Sequence, residues 1–289
     1  MAAGFDRSAN SVGNIVQLEH VNLLIPDQGP AVAFYISGLR FTRDPFLMVG
    51  LDNMWINMGR NQMHLPHHRT PQLFQGTIGL VVPDLDEIER SLGAIKPTLE
   101  DTKFSYERVH DRIEATGPWG NRFRVHGPAP EFGTIQIGMP YLELDAPAGS
   151  AQAIGRFYSE IIGANVEVGD RNDKPCASVT TGNAQYCHFV ETGEATPGYD
   201  GHHVAVYLAD FAGPYDKLLE LDLITVETDA HEWRFVDIVD LDTGDVLFQI
   251  EHEVRSVTHP LFGRPLINRN PAQSNVGYRR GQDNFLGEV

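Results

Sequence analysis

Apolar and polar residues alternate along this chain in short runs, and the same order of runs returns about every 60 residues. HVNLLIPD at 20–27 returns as HVAVYLAD at 203–210, as TIGLVVPD at 77–84 and, more loosely, as MPYLELD at 139–145. Strict alternation of this kind is typical of β-strands with one buried face. The chain therefore reads as four copies of one small unit, and two of the four equivalent first-strand positions are histidine.

Each opening strand is followed by a turn, a segment of helical periodicity and then two or three further short strands. In the first and third units the helical segments, 31–36 and 153–162, are followed by Gly38 and Gly163, the usual residue just past a helix end. The last strand of each unit follows a polar turn, and the four last strands are QMHL at 62–65, RFRV at 122–125, YCHF at 186–189 and LFQI at 247–250. We predict an α+β fold built from four βαβββ modules.

The module boundaries follow from the stretches rich in proline, glycine and polar residues that separate the repeats. We place the modules at 15–66 and 76–128, which form an N-terminal domain (15–128), and at 137–192 and 201–256, which form a C-terminal domain (137–256). After that point the apolar pattern stops, and residues 257–289 are rich in Asn, Arg and Gly. We expect this C-terminal arm to lie over the body, to join two copies in a homodimer, or to be disordered.

Composition narrows the class of protein. The formal net charge of −17 argues against nucleic acid or an anionic membrane surface as the main partner, because both require clustered Lys and Arg. The sequence has no apolar run of about 18 residues and no secretory signal pattern, so we expect no membrane span. Two cysteines are too few for a disulfide framework, which favours a cytoplasmic location. No phosphate-binding loop and no nucleophile elbow occurs.

The repeated pattern resembles the vicinal oxygen chelate superfamily, which includes glyoxalase I, extradiol ring-cleaving dioxygenases and bleomycin-resistance proteins. The resemblance lies in the His-Val-x-Val/Leu first strands, the Phe-Tyr helices with their closing glycine, and the Gly or Asn turn before each last strand. It covers roughly residues 15–256. It implies paired modules whose mixed sheets curl into two cups, with metal ligands on the first and last strands. In four-module chains it further implies that module 1 pairs with module 4 and module 2 with module 3.

Carried over residue by residue, the resemblance places His20, His64, His203 and Gln249 in the cup formed by modules 1 and 4. The cup formed by modules 2 and 3 would hold Thr77, Arg124, Met139 and His188. Three imidazoles and an oxygen ligand suit one divalent ion of Fe, Ni, Zn, Co or Mn. An arginine and a thioether do not, so we expect a single metal site, in the cup of modules 1 and 4.

The fourth ligand is open at this point, because the family more often carries Glu where this chain has Gln249. Glu251 lies two residues further on, and strand alternation puts it on the same face. Either residue would be the fourth ligand and the catalytic oxygen group.

Three functions follow from the resemblance, each with a small molecule as the substrate or ligand. The first is a metal-dependent, glyoxalase-like isomerase or lyase that binds its substrate through two neighbouring oxygens. The second is an extradiol dioxygenase with Fe(II), and the third is a metal-free binding protein of the bleomycin-resistance type. The placement of the ligands in modules 1 and 4 favours the first, because the extradiol enzymes draw theirs from modules 3 and 4.

Overall fold

The computed structural model describes residue 7 and residues 10–47, 52–270 and 273–284; positions 271–272 and 285–289 of the predicted arm lie outside the described residues. All four predicted βαβββ modules are present. The first contains β1 (Ile15–Asn22), α1 (Gln28–Ala31), β2 (Thr42–Arg43), β3 (Asn53–Met58) and β4 (Asn61–Pro66). The second contains β5 (Gly76–Val81), α2 (Leu85–Ile95), β6 (Ser105–Val109), β7 (Arg112–Thr116) and β8 (Arg122–His126).

The second half of the chain repeats this order. The third module contains β9 (Gly138–Pro147), α3 (Ala151–Phe157), β10 (Val166–Arg171), β11 (Lys174–Gly182) and β12 (Gln185–Thr192). The fourth contains β13 (His203–Leu208), α4 (Ala212–Glu220), β14 (Ile224–Glu227), β15 (Glu232–Val239) and β16 (Val246–Ser256).

The sixteen strands form two eight-stranded mixed sheets. The first sheet has the order β14-β15-β16-β13-β1-β4-β3-β2, and the second has the order β10-β11-β12-β9-β5-β8-β7-β6. Module 1 therefore pairs with module 4, and module 2 pairs with module 3, as the resemblance implied. Both sheets combine strands from either side of the predicted boundary between residues 128 and 137.

The two sheets share one internal arrangement. Two antiparallel first strands, β1 and β13 or β5 and β9, lie at the centre of each sheet. The last strand of each module runs parallel to its own first strand on the outer side. Each sheet contains two modules, and side chains at equivalent positions of these two modules therefore lie close together near its middle. We call the face of the first sheet that carries His20 the first cup, and the equivalent face of the second sheet the second cup.

One hydrophobic core runs through both sheets and all four helices. The two predicted helix-closing glycines serve different purposes. Gly163 has a φ of 74° and ends the π-helical continuation of α3 (Tyr158–Ile162) in the left-handed region that favours glycine. Gly38 lies at the end of the π-helical continuation of α1 (Val32–Gly38), where an added Cβ would come within 2.6 Å of Ile95 Cδ1. Gly38 is thus required for close helix packing.

Residues 264–268 of the predicted arm (257–289) contact module 1 of the same chain. The Asn268 side chain exchanges two hydrogen bonds with the backbone of Gly59, at 2.8 Å and 2.9 Å. Arg264 Nη2 donates to Asp44 Oδ2 at 2.7 Å, and Asp44 is fully buried. Residues 264–268 therefore lie over the body, which is one of the three outcomes we expected, and a homodimer through the arm stays a prediction.

Cys176 and Cys187 are both buried free thiols. Among the described residues, the helices are all too short or too polar to cross a membrane.

Candidate metal centre

Three of the predicted ligands meet at the centre of the first sheet. His20 on β1, His64 on β4 and His203 on β13 each offer one ring nitrogen, and these atoms lie within 4.8 Å of one another. The shortest of the distances joins His20 Nε2 and His203 Nε2, at 3.4 Å. His20 is completely buried and His203 is 7% exposed. The convergence follows from the topology, because β1 and β13 are antiparallel neighbours and β4 lies beside β1.

A β-bulge in β1 sets the direction of the His20 ring. Leu18 pairs with Val206 while His20 pairs with Ala205, so Glu19 is an extra residue in its strand. A bulge puts two successive side chains on the same face of a sheet. Glu19 Oε2 consequently lies 2.7 Å from His20 Nδ1 and accepts a hydrogen bond from it, which leaves Nε2 with its lone pair toward the other histidines.

His64 is held in a comparable way by residues of β3. Its Nε2 lies 2.8 Å from the side-chain oxygen of Asn53, an acceptor that requires the ring proton to be on Nε2. The indole of Trp55 stacks on the ring, with 3.8 Å between the centroids and 13° between the planes. Nδ1 is then the nitrogen of His64 with a free lone pair.

His203 contacts two carboxylates of β16. Its Nδ1 lies 3.3 Å from Glu251 Oε2, and its Nε2 lies 3.2 Å from Glu253 Oε2. Glu251 thus holds the outer nitrogen of the ring, as Glu19 does for His20. Glu253 lies on the inner side, next to the nitrogen that also approaches His20.

The strand register shows that Glu253 is the equivalent of His64. In module 1, His20 is paired with Gln62, and His64 lies two residues further along β4. In module 4, His203 is paired with Glu251, so the residue two further along β16 is Glu253. Sequence reasoning missed Glu253, although the alternation that suggested Glu251 reaches it one step later.

The two predicted candidates for the fourth ligand occupy other places. Gln249 is exposed and donates to Asp237 Oδ1 at 2.8 Å, so the structure does not bring it to the histidines. Its register along β16 is offset by four residues from the equivalent position. Glu251 contacts the outer nitrogen of His203 and also accepts from Arg234 Nη1 at 2.9 Å.

Charged residues around the three imidazoles carry an excess of negative charge. The carboxylates of the network belong to Glu19, Glu232, Glu251 and Glu253. Its guanidiniums belong to Arg234, which contacts Glu232, Glu251 and Glu253, and to Arg255, which contacts Glu19, Glu232 and Glu253. Four carboxylates against two guanidiniums leave two negative charges, which a divalent cation would balance.

Burial and these neighbours favour the metal-binding protonation state at His20, His64 and Glu253, and the protonated form at His203. Burial lowers the pKa of His20, against the opposing effect of Glu19, and lowers that of His64 to about 2. Burial also lowers the pKa of His203, but hydrogen bonds to Glu251 and Glu253 outweigh it and leave this pKa raised. Burial alone would raise the pKa of Glu253, yet the hydrogen bond from His203 and the nearby charges hold it well below its usual range. Ligand imidazoles must be neutral and ligand carboxylates ionised.

These residues fit a single divalent ion. Two ligand atoms bound at about 2.1 Å and roughly 90–110° apart lie about 3.0–3.4 Å from each other. The contacts of His203 Nε2 with His20 Nε2 (3.4 Å) and with Glu253 Oε2 (3.2 Å) match this spacing. All three imidazoles have an oxygen on their outer nitrogen, which is the usual support of a metal-bound histidine. His20, His64, His203 and Glu253 could hold such an ion.

The second cup has different residues at the same four positions. Thr77 is paired with Arg122 and Gly79 with Tyr141, which makes Tyr141 the equivalent of the first-strand histidines. The prediction of Met139 was wrong, because the regular pairing of Thr77 with Glu143 and of Gly79 with Tyr141 puts the equivalent position two residues further along β9. The residues at these four positions are Thr77, Arg124, Tyr141 and His188. In the described part of the chain, the group of His, Cys, Asp or Glu side chains that could hold a metal ion lies in the first cup.

Comparisons with known proteins support the fold. No protein-family model matches the chain, and no curated protein sequence does. Among solved structures, glyoxalase I from Zea mays is similar over 84% of this chain and 92% of its own, with 12% identity and a TM-score of 0.59. A candidate dioxygenase from Bacillus subtilis subsp. subtilis str. 168 is similar over 84% of this chain and 86% of its own, with 13% identity and a TM-score of 0.55. The chain has the fold of the vicinal oxygen chelate superfamily.

Proposed function

We propose that the protein is a metal-dependent enzyme that acts on a small molecule bearing two neighbouring oxygens. The observation that carries the proposal is the set of four donors at equivalent positions of modules 1 and 4: His20, His64, His203 and Glu253. Each imidazole has an oxygen on its outer nitrogen, which turns the ring toward the other two. The proposed cofactor is one divalent ion of Fe, Ni, Zn, Co or Mn.

The proposed reaction is a glyoxalase-like isomerisation or lyase step. A bound divalent ion would polarise the two substrate oxygens and acidify the carbon-bound proton next to the carbonyl. Glu253 is the proposed proton acceptor, since its carboxylate lies against His203 Nε2 and is kept ionised by its neighbours. Arg234 and Arg255 contact the same carboxylate and hold it in place. Glu253 would return the proton to the adjacent carbon.

The glyoxalase-like reaction is preferred because all four equivalent positions of modules 1 and 4 carry a potential ligand, and the fourth is Glu253, a carboxylate that the sequence analysis missed. The alternative is an extradiol dioxygenase with Fe(II). One observation favours it: His203 Nε2 lies 3.4 Å from His20 Nε2 and 3.2 Å from Glu253 Oε2, and two histidines with one carboxylate are the ligand set of many non-haem iron oxygenases.

Metal analysis of protein purified without chelator tests the first step of the proposal. We expect about one divalent ion per chain, as a single mononuclear site requires. The His20→Ala/His203→Ala double variant should lose the ion. A matched double variant, His67→Ala/His68→Ala, removes two exposed histidines and should keep it. Equal metal content in both double variants would contradict the site.

The reaction class is tested on the metal-loaded protein. Anaerobic incubation with small α-hydroxyaldehydes, α-hydroxyketones and thiohemiacetals in deuterated water, followed by proton NMR, reports exchange at carbon. Exchange in the wild type and its loss in Glu253→Gln, with Gln249→Ala unchanged, would support the isomerase or lyase. Oxygen uptake with catechols under Fe(II), without such exchange, would support the dioxygenase. Tight ligand binding by protein that holds no metal would leave only a sequestering function.

A further inference from the structure

The second cup encloses a cavity of about 490 Å³, which lies against the face that is equivalent to the metal centre. Arg124, Tyr141 and His188, which hold three of the four equivalent positions, line it. Arg112 and Arg171 also line it, from hairpin turns at opposite edges of the sheet. Three arginines therefore line the second cup, whereas carboxylates surround the histidines of the first cup.

The three guanidiniums are held in one common way. Arg112 Nε and Arg124 Nε both donate to Glu114 Oε1, at 2.7 Å and 2.9 Å, and Arg171 Nε donates to Glu143 Oε2 at 3.0 Å. Each guanidinium is thus fixed through its inner nitrogen. Within the described residues, the terminal amino groups of Arg112 and Arg171 have no hydrogen-bond partner, so they remain available to a ligand.

The charges around the cavity favour an anion. Three guanidiniums share the two carboxylates of Glu114 and Glu143, which leaves one positive charge in excess. Among the described lining residues the only acidic one is Glu131, and it is exposed to solvent. A planar guanidinium with two free amino groups matches the two oxygens of a carboxylate.

Aromatic side chains form part of the remaining cavity wall, together with Pro140, Asn172 and Ala184. The ring of Tyr186 stacks on that of His188, with 5.5 Å between the centroids and 15° between the planes. The Arg171 guanidinium lies 5.1 Å from the centre of the Tyr141 ring. Phe132 adds an apolar side chain to the lining. Flat aromatic walls beside a pair of guanidiniums suit a ligand with a planar body and one anionic end.

We propose that the second cup is a binding site for a small organic carboxylate with a planar body. The terminal amino groups of Arg112 and Arg171 bind the ligand's carboxylate. The rings of Tyr141, Tyr186 and His188 flank its planar part. The site is independent of the metal centre, since the two cups belong to different sheets.

Isothermal titration with three probes tests the proposal on the full chain. Benzoate carries both the carboxylate and the planar body, benzamide is its neutral counterpart, and inorganic phosphate is an anion without a planar body. We expect benzoate to bind one site per chain, and benzamide and phosphate to bind at least about tenfold more weakly. The imidazole NMR signals of His188 should shift on binding, while those of His20 should not.

Variants locate the site. Arg112→Gln/Arg171→Gln should weaken benzoate binding by at least about tenfold. Both side chains are about one-third exposed (37% and 31%) and lie beside hairpin turns, so the double variant should fold, which circular dichroism checks. Arg69→Gln/Arg90→Gln removes the same charge from exposed positions and should bind benzoate like the wild type. The proposal is overturned if benzoate does not bind, if benzamide or phosphate binds as tightly, or if both double variants behave alike.

Discussion

Glu253 and His64 hold equivalent positions in two different modules of the first sheet. Each lies two residues beyond the last-strand residue that pairs with its module's first-strand histidine, as Gln62 pairs with His20 and Glu251 with His203. The pseudo-symmetry of the sheet therefore puts a carboxylate in the first cup where the neighbouring module puts an imidazole. Because of this relationship, Glu253 is the residue of β16 whose oxygen would be offered to a bound ion.

Glu253→Gln should consequently cost the protein most of its affinity for a divalent ion. Loss of a residue that only supports a ligand usually costs about 10- to 100-fold in metal affinity, and loss of a ligand should exceed that range. Gln249→Ala should leave the affinity within about twofold, because its side chain is exposed and bonded to Asp237. Competition against a coloured chelator measures both. A larger loss of metal affinity in Gln249→Ala than in Glu253→Gln would mean that Gln249 is the fourth ligand, as the sequence first suggested, and that Glu253 is not.

Much of the fold was accessible from the sequence because the repeat recurs in four copies. The first strands, the helices and the last strands all appear where the alternating pattern predicted them. The three histidines were found in the same way, since His20, His64 and His203 keep their places relative to the strand and turn residues of their modules. The pairing of modules came from the resemblance, and the two sheets confirm it.

The missed residues share one physical cause, which is strand register. In β16 the residues Gln249, Glu251 and Glu253 all lie on one face, and the sequence does not say which of them stands level with the histidines. β16 (Val246–Ser256) is longer than β4 (Asn61–Pro66), so counting from the turn gave an answer four residues short. In β9 the pairing of Gly79 with Tyr141 puts Tyr141 in the place expected for Met139. The pairing of strands from different modules is set by the tertiary structure, and a shift of two residues keeps the same face of the strand.

Glu19→Gln tests the importance of the bulge in β1. The Glu19 carboxylate accepts from His20 Nδ1 and from Arg255 Nη1, both at 2.7 Å. A neutral amide would hold both groups more weakly and would make the His20 ring a poorer donor. We expect metal affinity to fall about 10- to 100-fold, with the fold retained. Glu100→Gln, an exposed carboxylate elsewhere, serves as the control. An unchanged affinity in Glu19→Gln would mean that the bulge does not orient the ring for metal.

Arg264→Gln tests the attachment of the C-terminal arm. Arg264 is the charge partner of Asp44, which is fully buried and whose pKa is held below its usual range by this contact and by two backbone N–H groups. The carboxylate would keep its bonds from those N–H groups after the substitution. We therefore expect a loss of about 2 kcal/mol in the free energy of unfolding, measured by urea denaturation.

A second substitution at Asp44 tests whether the lost stability comes from a buried carboxylate that has no charge partner. Asp44→Asn/Arg264→Gln removes the buried charge as well, so it should be more stable than Arg264→Gln alone. Arg280→Gln removes an exposed arginine of the same arm and should leave the stability unchanged within about 0.5 kcal/mol. If Arg264→Gln is as stable as Arg280→Gln, the arm does not depend on Asp44.

His188 should make the protein sensitive to mild acid. Burial and the nearby Arg171 lower the pKa of His188 to about 3, while an unfolded histidine titrates near 6.5. Below about pH 6.5 the unfolded chain therefore takes up a proton that the folded chain does not, and the stabilisation from neutral His188 is lost as the pH falls. Between about pH 7 and about pH 5 this contributes a loss of about 2 kcal/mol in the free energy of unfolding.

His188→Gln should remove this part of the pH dependence. Its free energy of unfolding should fall by about 2 kcal/mol less than that of the wild type between about pH 7 and about pH 5, as reversible denaturation in the two buffers would measure. His67→Gln, which removes an exposed histidine, should follow the wild-type profile. Arg171→Gln takes away the neighbouring positive charge and should raise the pKa of His188 in the folded protein, which histidine NMR signals report. Identical pH profiles for His188→Gln and His67→Gln would show that folding does not lower the pKa of His188, against the effect expected from its burial beside Arg171.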